Sequence, residues 1–487
     1  MYNELTVEIR VNGCRSEKIR VERGFMEGHP PSMAAFVLQM IPLTVALEEI
    51  LNGIEVHEVT HKVKGFADDV KLFLGDLREV DKSYEIINKF EKVSGLEMHR
   101  DPTREKCQAL PFGRHREHTE WPDWVTVKSE IKVVGIVYTN KQDKFEELNM
   151  DQVQNCFYMS LRNSAGIKGT LMQKVYCVNT YMFTKIWYTA QVVKLKKKKM
   201  DEMMKAAMNF IYAGENERPI RPLNFRPKQL GGLGLMDINV KAKSLLIKSM
   251  LRQRNKDQDI KSMYGYEDKL EGILEKCDSM TPVKVIYAEM VKEVYEKNGS
   301  VIPSRNEKKV RGIKWSNTWE NLEKSKGLNA GEKEFLWKLS QDMLLIGGRI
   351  HRANVEKECK NINDGVECRD IPDLMHTFVT CKGIEKDFAC LKNLIKEINE
   401  AEIHTKDILT ISFTNRNRQR RTILVWFIAK VMFGMFNKEN IRNTLEHIAL
   451  ELEWFLHGQV SIGSCMEMNR LRVIVGKGLE EMAGLDG

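Results

Sequence analysis

The pattern of apolar residues changes near residue 140, and the change sets the expected fold class. Before it, Leu5, Val7, Ile9 and Val11 alternate with polar residues, Asn12-Gly13 is a turn signal, and Ile19 and Val21 resume the alternation. That pattern specifies a hairpin. Ser32 to Leu51 reads as a largely apolar helix that Pro42 should kink. A strand-like run ending in Gly65 and a second run, Val70-Lys71-Leu72-Phe73-Leu74, flank a short turn. Val80, Tyr84, Ile87 and Phe90 then fall on one helical face, with Gly95 as its stop. Ile131 to Tyr138 reads as a strand pair, or as one strand with a bulge at Gly135. From about residue 141 onward, long stretches rich in Lys, Glu, Met and Leu specify helices. The expectation is an α+β fold, with an antiparallel sheet and helices in 1–140, helical parts over 141–255, 256–345 and 396–487, and a Cys/His segment over 346–395.

Composition narrows the class. The chain has 487 residues, of which 42% are hydrophobic and 30% charged, as in a globular protein and unlike a disordered one. A net charge of +8 suits a polyanionic partner without requiring one. Two local runs carry more meaning, Lys194-Leu195-Lys196-Lys197-Lys198-Lys199 and Arg416-Asn417-Arg418-Gln419-Arg420-Arg421; each is either a phosphate-contacting surface or a solvated face. The ten cysteines are scattered and the N-terminus does not read as a signal peptide, so reduced thiols in an intracellular protein, nuclear or cytoplasmic, are expected. The apolar run from Ile423 to Phe436 is interrupted by Lys430 and is too short to span a bilayer, so no membrane partner is expected and a buried helix is.

Phe66-Ala67-Asp68-Asp69 places two adjacent carboxylates at a hairpin turn. Adjacent acids repel, and a cation between them relieves the repulsion. Phosphoryl transfer uses two divalent ions to stabilise the attacking and leaving oxygens, and hard ions such as Mg²⁺ take carboxylate and phosphate oxygens. A solvated turn explains the same residues, because Asp is common in turns.

The surrounding boxes resemble those of reverse transcriptases of LINE-type (non-LTR) retrotransposons. Arg23-Gly24-Phe25-Met26-Glu27-Gly28-His29-Pro30-Pro31-Ser32 is similar to the Arg-Gly-x-x-Gln-Gly-x-Pro-Leu-Ser box, and Phe66 to Asp69 resembles the aromatic-Ala-Asp-Asp box. Phe90, Val93, Ser94, Gly95 and Leu96 resemble the Phe-x-x-x-Ser-Gly-Leu segment, and Val133-Val134-Gly135-Ile136 the Tyr-Leu-Gly-Ile element before the thumb. Pro227 to Leu235 is similar to Pro-x-x-x-Gly-Gly-Leu-Gly-Leu, and Phe335-Leu336-Trp337-Lys338 resembles the C-terminal region of these proteins. The order and spacing agree over nearly the whole chain. The resemblance implies a partial polymerase palm, in which an antiparallel sheet is backed by two helices, followed by a helical thumb. It implies RNA-directed DNA polymerisation with Mg²⁺ or Mn²⁺, an RNA template, a DNA primer or target and deoxynucleoside triphosphates. Asp68 would ligate metal with Asp69 as its partner, and Phe66, Arg23, Gly24 and Gly28 would shape the nucleotide and template site.

The family also carries a Cys-x-x-Cys pair followed by His and Cys. Cys368, His376 and Cys381 keep the later spacing; Gly365 stands at the first position, and Cys359 is the candidate to replace it. Together they would make a closed structural Zn²⁺ site. Other positions depart from the pattern. Glu27 stands for the usual Gln, Pro31 for Leu, His99 for Asn and Pro102 for Lys, with Lys106 the nearest substitute. The family's first catalytic Asp box has no counterpart, since the resemblance starts just past it at Met1-Tyr2. The expectation is a fragment of the polymerase that is inactive as this chain. The alternatives are a non-catalytic nucleic-acid-binding protein or a vestigial helical protein.

Overall fold

Short hairpins and two long helices make up the described chain before residue 142 and helices dominate after it, so the fold is α+β. The computed structural model describes residues 6–21, 30–56, 59–213, 218–253, 276–344, 346, 362–363, 366–368, 373–437, 441–457 and 462–483. Arg23, Gly24, Gly28 and Cys359 lie outside the described residues. The chain divides into two compact units, Met1–Gln142 and Asp143–Gly487.

In the first unit the strands pair two by two. Thr6–Val7 pairs with Ile19–Arg20, and Arg10–Val11 with Cys14–Arg15, around Asn12-Gly13. Both turn residues are left-handed, with φ 50° and 88°, as a type I′ turn needs and as Asn-Gly readily supplies. Val63–Phe66 and Asp69–Leu72 form the next hairpin but one, and Glu130–Val133 with Ile136–Thr139 the last. The segment from Ile131 to Tyr138 is thus a strand pair, turning at Val134-Gly135, and not a bulged strand. These pairs are antiparallel; Gln108–Ala109 and Thr126–Val127 pair in parallel.

Two helices back the central hairpin. Leu43, Leu47 and Leu51 from or just after Pro30–Ile50 meet Val63 of the hairpin and Ile86 of Arg78–Ser94, with Val70, Leu72, Ile87 and Phe90 packed around them. The period of two explains which hairpin residues take part. Val63, Gly65, Val70 and Leu72 share the face toward the helices, and Lys64, Phe66, Asp69 and Lys71 share the other. Glu79 locks the arrangement. Its buried carboxylate accepts the backbone N–H groups of Asn52, Gly75 (2.7 Å) and Asp76 (3.2 Å), tying the helix to the segments on either side of the hairpin. At the far end Gly95, left-handed at φ 72°, closes Arg78–Ser94, and Gln39 Nε2 donates to Ser94 O at 3.2 Å.

Pro30–Ile50 is buried only at Ser32, Leu43 and Leu47, while Met33 and Leu38 on its other sides are 72% and 65% exposed. By length and composition it is the one helix among the described residues that could cross a membrane. The run from Ile423 to Phe436 behaves as its interruption suggested. It lies in helix Arg418–Phe436, buried from Ile423 through Ala429, and Lys430 is satisfied by Glu332 at 2.6 Å and Glu451 at 2.8 Å.

The second unit is built on one large core with members from Met150 to Val475. It therefore crosses each of the boundaries near 255, 345 and 395. Capping boxes start three of its helices, at Thr170 with Gln173, Ser304 with Glu307 and Asn329 with Glu332. Gly434 permits the tight packing of Arg418–Phe436 on Ile441–His457, since a Cβ there would lie 2.4 Å from Thr444 Oγ1.

Candidate functional site

Asp68 and Asp69 stand at the tip of the central hairpin. Phe66 pairs with Asp69 across the two-residue turn Ala67-Asp68. Of the two turn residues only Ala67 has a positive φ, 52°. A positive φ at the first position alone is the type II′ pattern, which ordinarily takes glycine there. An L-residue with a side chain pays about 1–2 kcal/mol for this conformation. Val134, in the turn of the last hairpin, is also at positive φ, 45°, so the strain at Ala67 belongs to the tight turn and does not by itself mark a site.

The polar face of the hairpin carries its own cation. Lys71 Nζ lies 3.1 Å from Asp69 Oδ2, and the lysine side chain is mostly shielded at 22% exposure while that of Asp69 is 64% exposed. Among the described residues the ammonium makes no hydrogen bond, so the contact is an ion pair by proximity that places one positive charge beside Asp69. Residues 69 and 71 share a strand face by simple alternation, so the sequence held the signal for this pair. Phe66, on the same face, is 66% exposed. Among the described residues no further His, Cys, Asp or Glu joins Asp68 and Asp69 in a three-ligand cluster. The hairpin offers two carboxylates to a hard cation, one of them shared with Lys71. Arg23, Gly24 and Gly28, expected beside it, fall outside the described residues.

Two segments read separately in the sequence meet in the second unit. Gly231 O accepts hydrogen bonds from Trp337 Nε1 at 3.0 Å and Gln341 Nε2 at 2.8 Å. Gly231 is left-handed at φ 80°, and a Cβ on it would fall 2.3 Å from the Trp319 ring. A Cβ on Gly232 would lie 1.9 Å from Arg226 O. The Arg226 side chain is fully buried; it donates to Leu230 O at 3.0 Å, to Ile302 O, and to the Glu307 carboxylate at 3.3 Å. Leu233 N and Leu235 N donate to Leu223 O and Asn224 O at 2.9 and 2.7 Å. The glycines let two backbone segments touch and the tryptophans close over them. This node is structural, and it holds no group placed for chemistry.

The Cys/His segment brings three of its residues together. The ligand atoms of Cys368, His376 and Cys381 lie within 4.8 Å of one another, with Cys368 Sγ 3.6 Å from His376 Nε2. A π turn, His376–Thr380, makes the approach: Cys381 N donates to His376 O at 3.1 Å, and Asp373 Oδ1 fixes the start by accepting from His376 N at 2.7 Å. Two thiols and an imidazole at this separation form a donor set that suits a soft-tolerant ion such as Zn²⁺.

The two basic runs differ. Arg420 pairs with Glu400 and Glu467, and Arg421 with Glu320 at 2.9 Å, so half of the arginine run serves internal ion pairs. Lys324 and Arg421 together hold the Glu320 carboxyl down to about 2. In the lysine run, Lys199 pairs with Asp151, while Lys194, Lys196, Lys197 and Lys198 are exposed. Compared with models of known protein families, the chain matches none.

Proposed function

We propose that this chain is part of a LINE-type reverse transcriptase, in which Asp68 and Asp69 supply half of a two-metal polymerase centre. The observation that carries the reading is the acidic hairpin tip itself. Two adjacent carboxylates are presented by a strained type II′ turn on a hairpin backed by two helices. Such a hairpin is the expected core of a polymerase palm, and the helices after residue 142 are the expected thumb and C-terminal region. In this reading Asp68 ligates the ion directly. Asp69, which lies beside Lys71, would be its partner in holding the ion, and Phe66 would help shape the nucleotide site. RNA template, DNA primer and deoxynucleoside triphosphate are the substrates. Cys368, His376 and Cys381, with Cys359 as the fourth ligand, would hold a structural Zn²⁺ and serve folding, not the reaction.

Two carboxylates are too few to fix two ions, so the chain by itself is expected to leave a DNA primer on an RNA template unextended in Mg²⁺ or Mn²⁺. The test is primer extension by this chain and by a chain lengthened at Met1 with the family's first Asp box. The longer chain should extend primers, and Asp68→Ala should abolish the activity. Extension that survives Asp68→Ala would remove the hairpin from the chemistry and overturn the reading.

A further inference from the structure

Positive charge is segregated in this protein to a degree that its modest net charge conceals. From Gln152 to Met200 there is no Asp or Glu, and there are nine cations: Arg162, Lys168, Lys174, Lys185, Lys194 and Lys196 to Lys199. The whole chain carries +8, so this segment at +9 leaves the remaining residues at −1. Lys199 pairs with Asp151 of helix Phe145–Ser164, and Asp201 and Glu202 follow the run on the next turn.

The same segment displays tyrosines. Tyr176, Tyr181 and Tyr188 are 62%, 59% and 46% exposed, although tyrosine is usually at least half-buried. Tyr176 and Tyr181 lie on one helical run, Leu171–Cys177, Val178–Met182 and Thr184–Trp187, and Tyr188 caps its end. The middle piece is a π turn, closed by Phe183 N donating to Val178 O at 2.9 Å. In an uninterrupted α-helix, residues five apart point about 140° away from each other. The wider π turn brings Tyr176 and Tyr181 back toward one side, and such bulges gather at functional sites. Lys185 and Tyr188 continue the exposed stripe at spacings of four and three, and Val175, Val178, Met182, Phe183 and Ile186 fill the buried side. Tyr181 and Tyr188 stand roughly 10 Å apart along the axis.

We propose that this stripe is a binding surface for single-stranded nucleic acid, with unpaired bases stacked on Tyr176, Tyr181 and Tyr188 and phosphates held by Lys185 and the lysines that follow. Stacking on aromatic faces requires bases that are not already paired, which excludes the interior of a duplex. A segment whose own charges are all positive favours a polyanion, whereas the centre of a protein–protein interface is depleted in lysine. The surface lies wholly in the second unit and does not rest on the reading of Asp68 and Asp69.

The test is fluorescence anisotropy of the full chain with an unstructured single-stranded oligonucleotide and with a blunt duplex of the same length. Single strands should bind more tightly. Tyr181→Ala and Tyr188→Ala should each weaken that binding between about fivefold and a hundredfold, and Tyr→Phe at the same positions should restore it, because the ring stacks without its hydroxyl. Lys185→Ala should lower the slope of log K against log salt by about 0.7. All of this is measured in EDTA, where no metal-dependent polymerase centre can assemble, which separates this proposal from the polymerase reading. Equal binding of duplex and single strand, or Tyr→Ala variants that bind as tightly as the native chain, would overturn it.

Discussion

Gly232 offers a sharp test of how the second unit is held together. A methyl group there would sit 1.9 Å from Arg226 O and 2.4 Å from its carbonyl carbon. Ordinary carbon–oxygen contact needs more than 3 Å, so one backbone segment must retreat by about an ångström. It cannot retreat cheaply. Arg226 O accepts from Gly234 N at 3.0 Å, and the arginine side chain is fixed in the core by Leu230 O, Ile302 O and Glu307. Overpacking costs about 1–3 kcal/mol and loss of one backbone hydrogen bond about 1 kcal/mol, so Gly232→Ala should destabilise by roughly 2–4 kcal/mol. Urea unfolding followed by tryptophan fluorescence reads this, since Trp319 and Trp337 both touch the node. With a slope of about 3 kcal/mol/M, the midpoint should fall by about 1 M. Gly166→Ala is the control: nothing lies within 4 Å of a Cβ at that position, and it should change stability by less than about 0.5 kcal/mol. If Gly232→Ala unfolds at the same urea concentration as Gly166→Ala, the close approach of these segments is not what the glycines are for.

Other consequences follow from the same geometry. Ala67→Gly should stabilise the first unit by up to about 1 kcal/mol in thermal melts, because glycine adopts the left-handed turn without steric cost; a loss of stability would mean that Ala67 is not strained. The purified chain should carry about one Zn²⁺ by elemental analysis, and Cys381→Ser should lower both zinc content and protease resistance; zinc content unchanged by Cys381→Ser would remove that thiol from the site. Glu320 is held at about 2, below its ordinary 4.5, by Lys324 and Arg421, so its contribution is fully present above pH 4.5 and is lost as pH falls toward 2. Glu320→Gln should flatten the acid unfolding curve in that window, and an unaltered curve would show that the pairing adds nothing to stability.

How far the sequence disclosed all this depended on the range of the interactions. Asn12-Gly13 announced its hairpin because the turn needs left-handed residues and those two supply them. The acidic hairpin was visible from the apolar runs beside it, although Ala67 gives no turn signal and its strain could not be foreseen. Val134, a β-branched residue at φ 45°, left the strand pair and the bulge equally open, since such residues avoid that region. The arginines at 416–421 read as either a phosphate surface or a solvated face because their partners lie far off in sequence; Glu320 precedes Arg421 by 101 residues. The meeting of Gly231 with Trp337, across 106 residues, and the π turn that aligns the tyrosines had no local signature either. The charge desert from 152 to 200 was in plain view, but net charge summed over the chain hid it.

The central claim is that Asp68 and Asp69 form a cation site that Lys71 now partly occupies. Titration of the full chain with Mn²⁺, read by the loss of the free-ion electron paramagnetic resonance signal, tests it directly. The native chain should take up Mn²⁺ with about millimolar affinity, Lys71→Ala should tighten that uptake by freeing Asp69, and Asp68→Asn with Asp69→Asn should abolish it. Uptake that is the same in the native chain and in the double asparagine variant would contradict the claim and leave the hairpin a solvated turn.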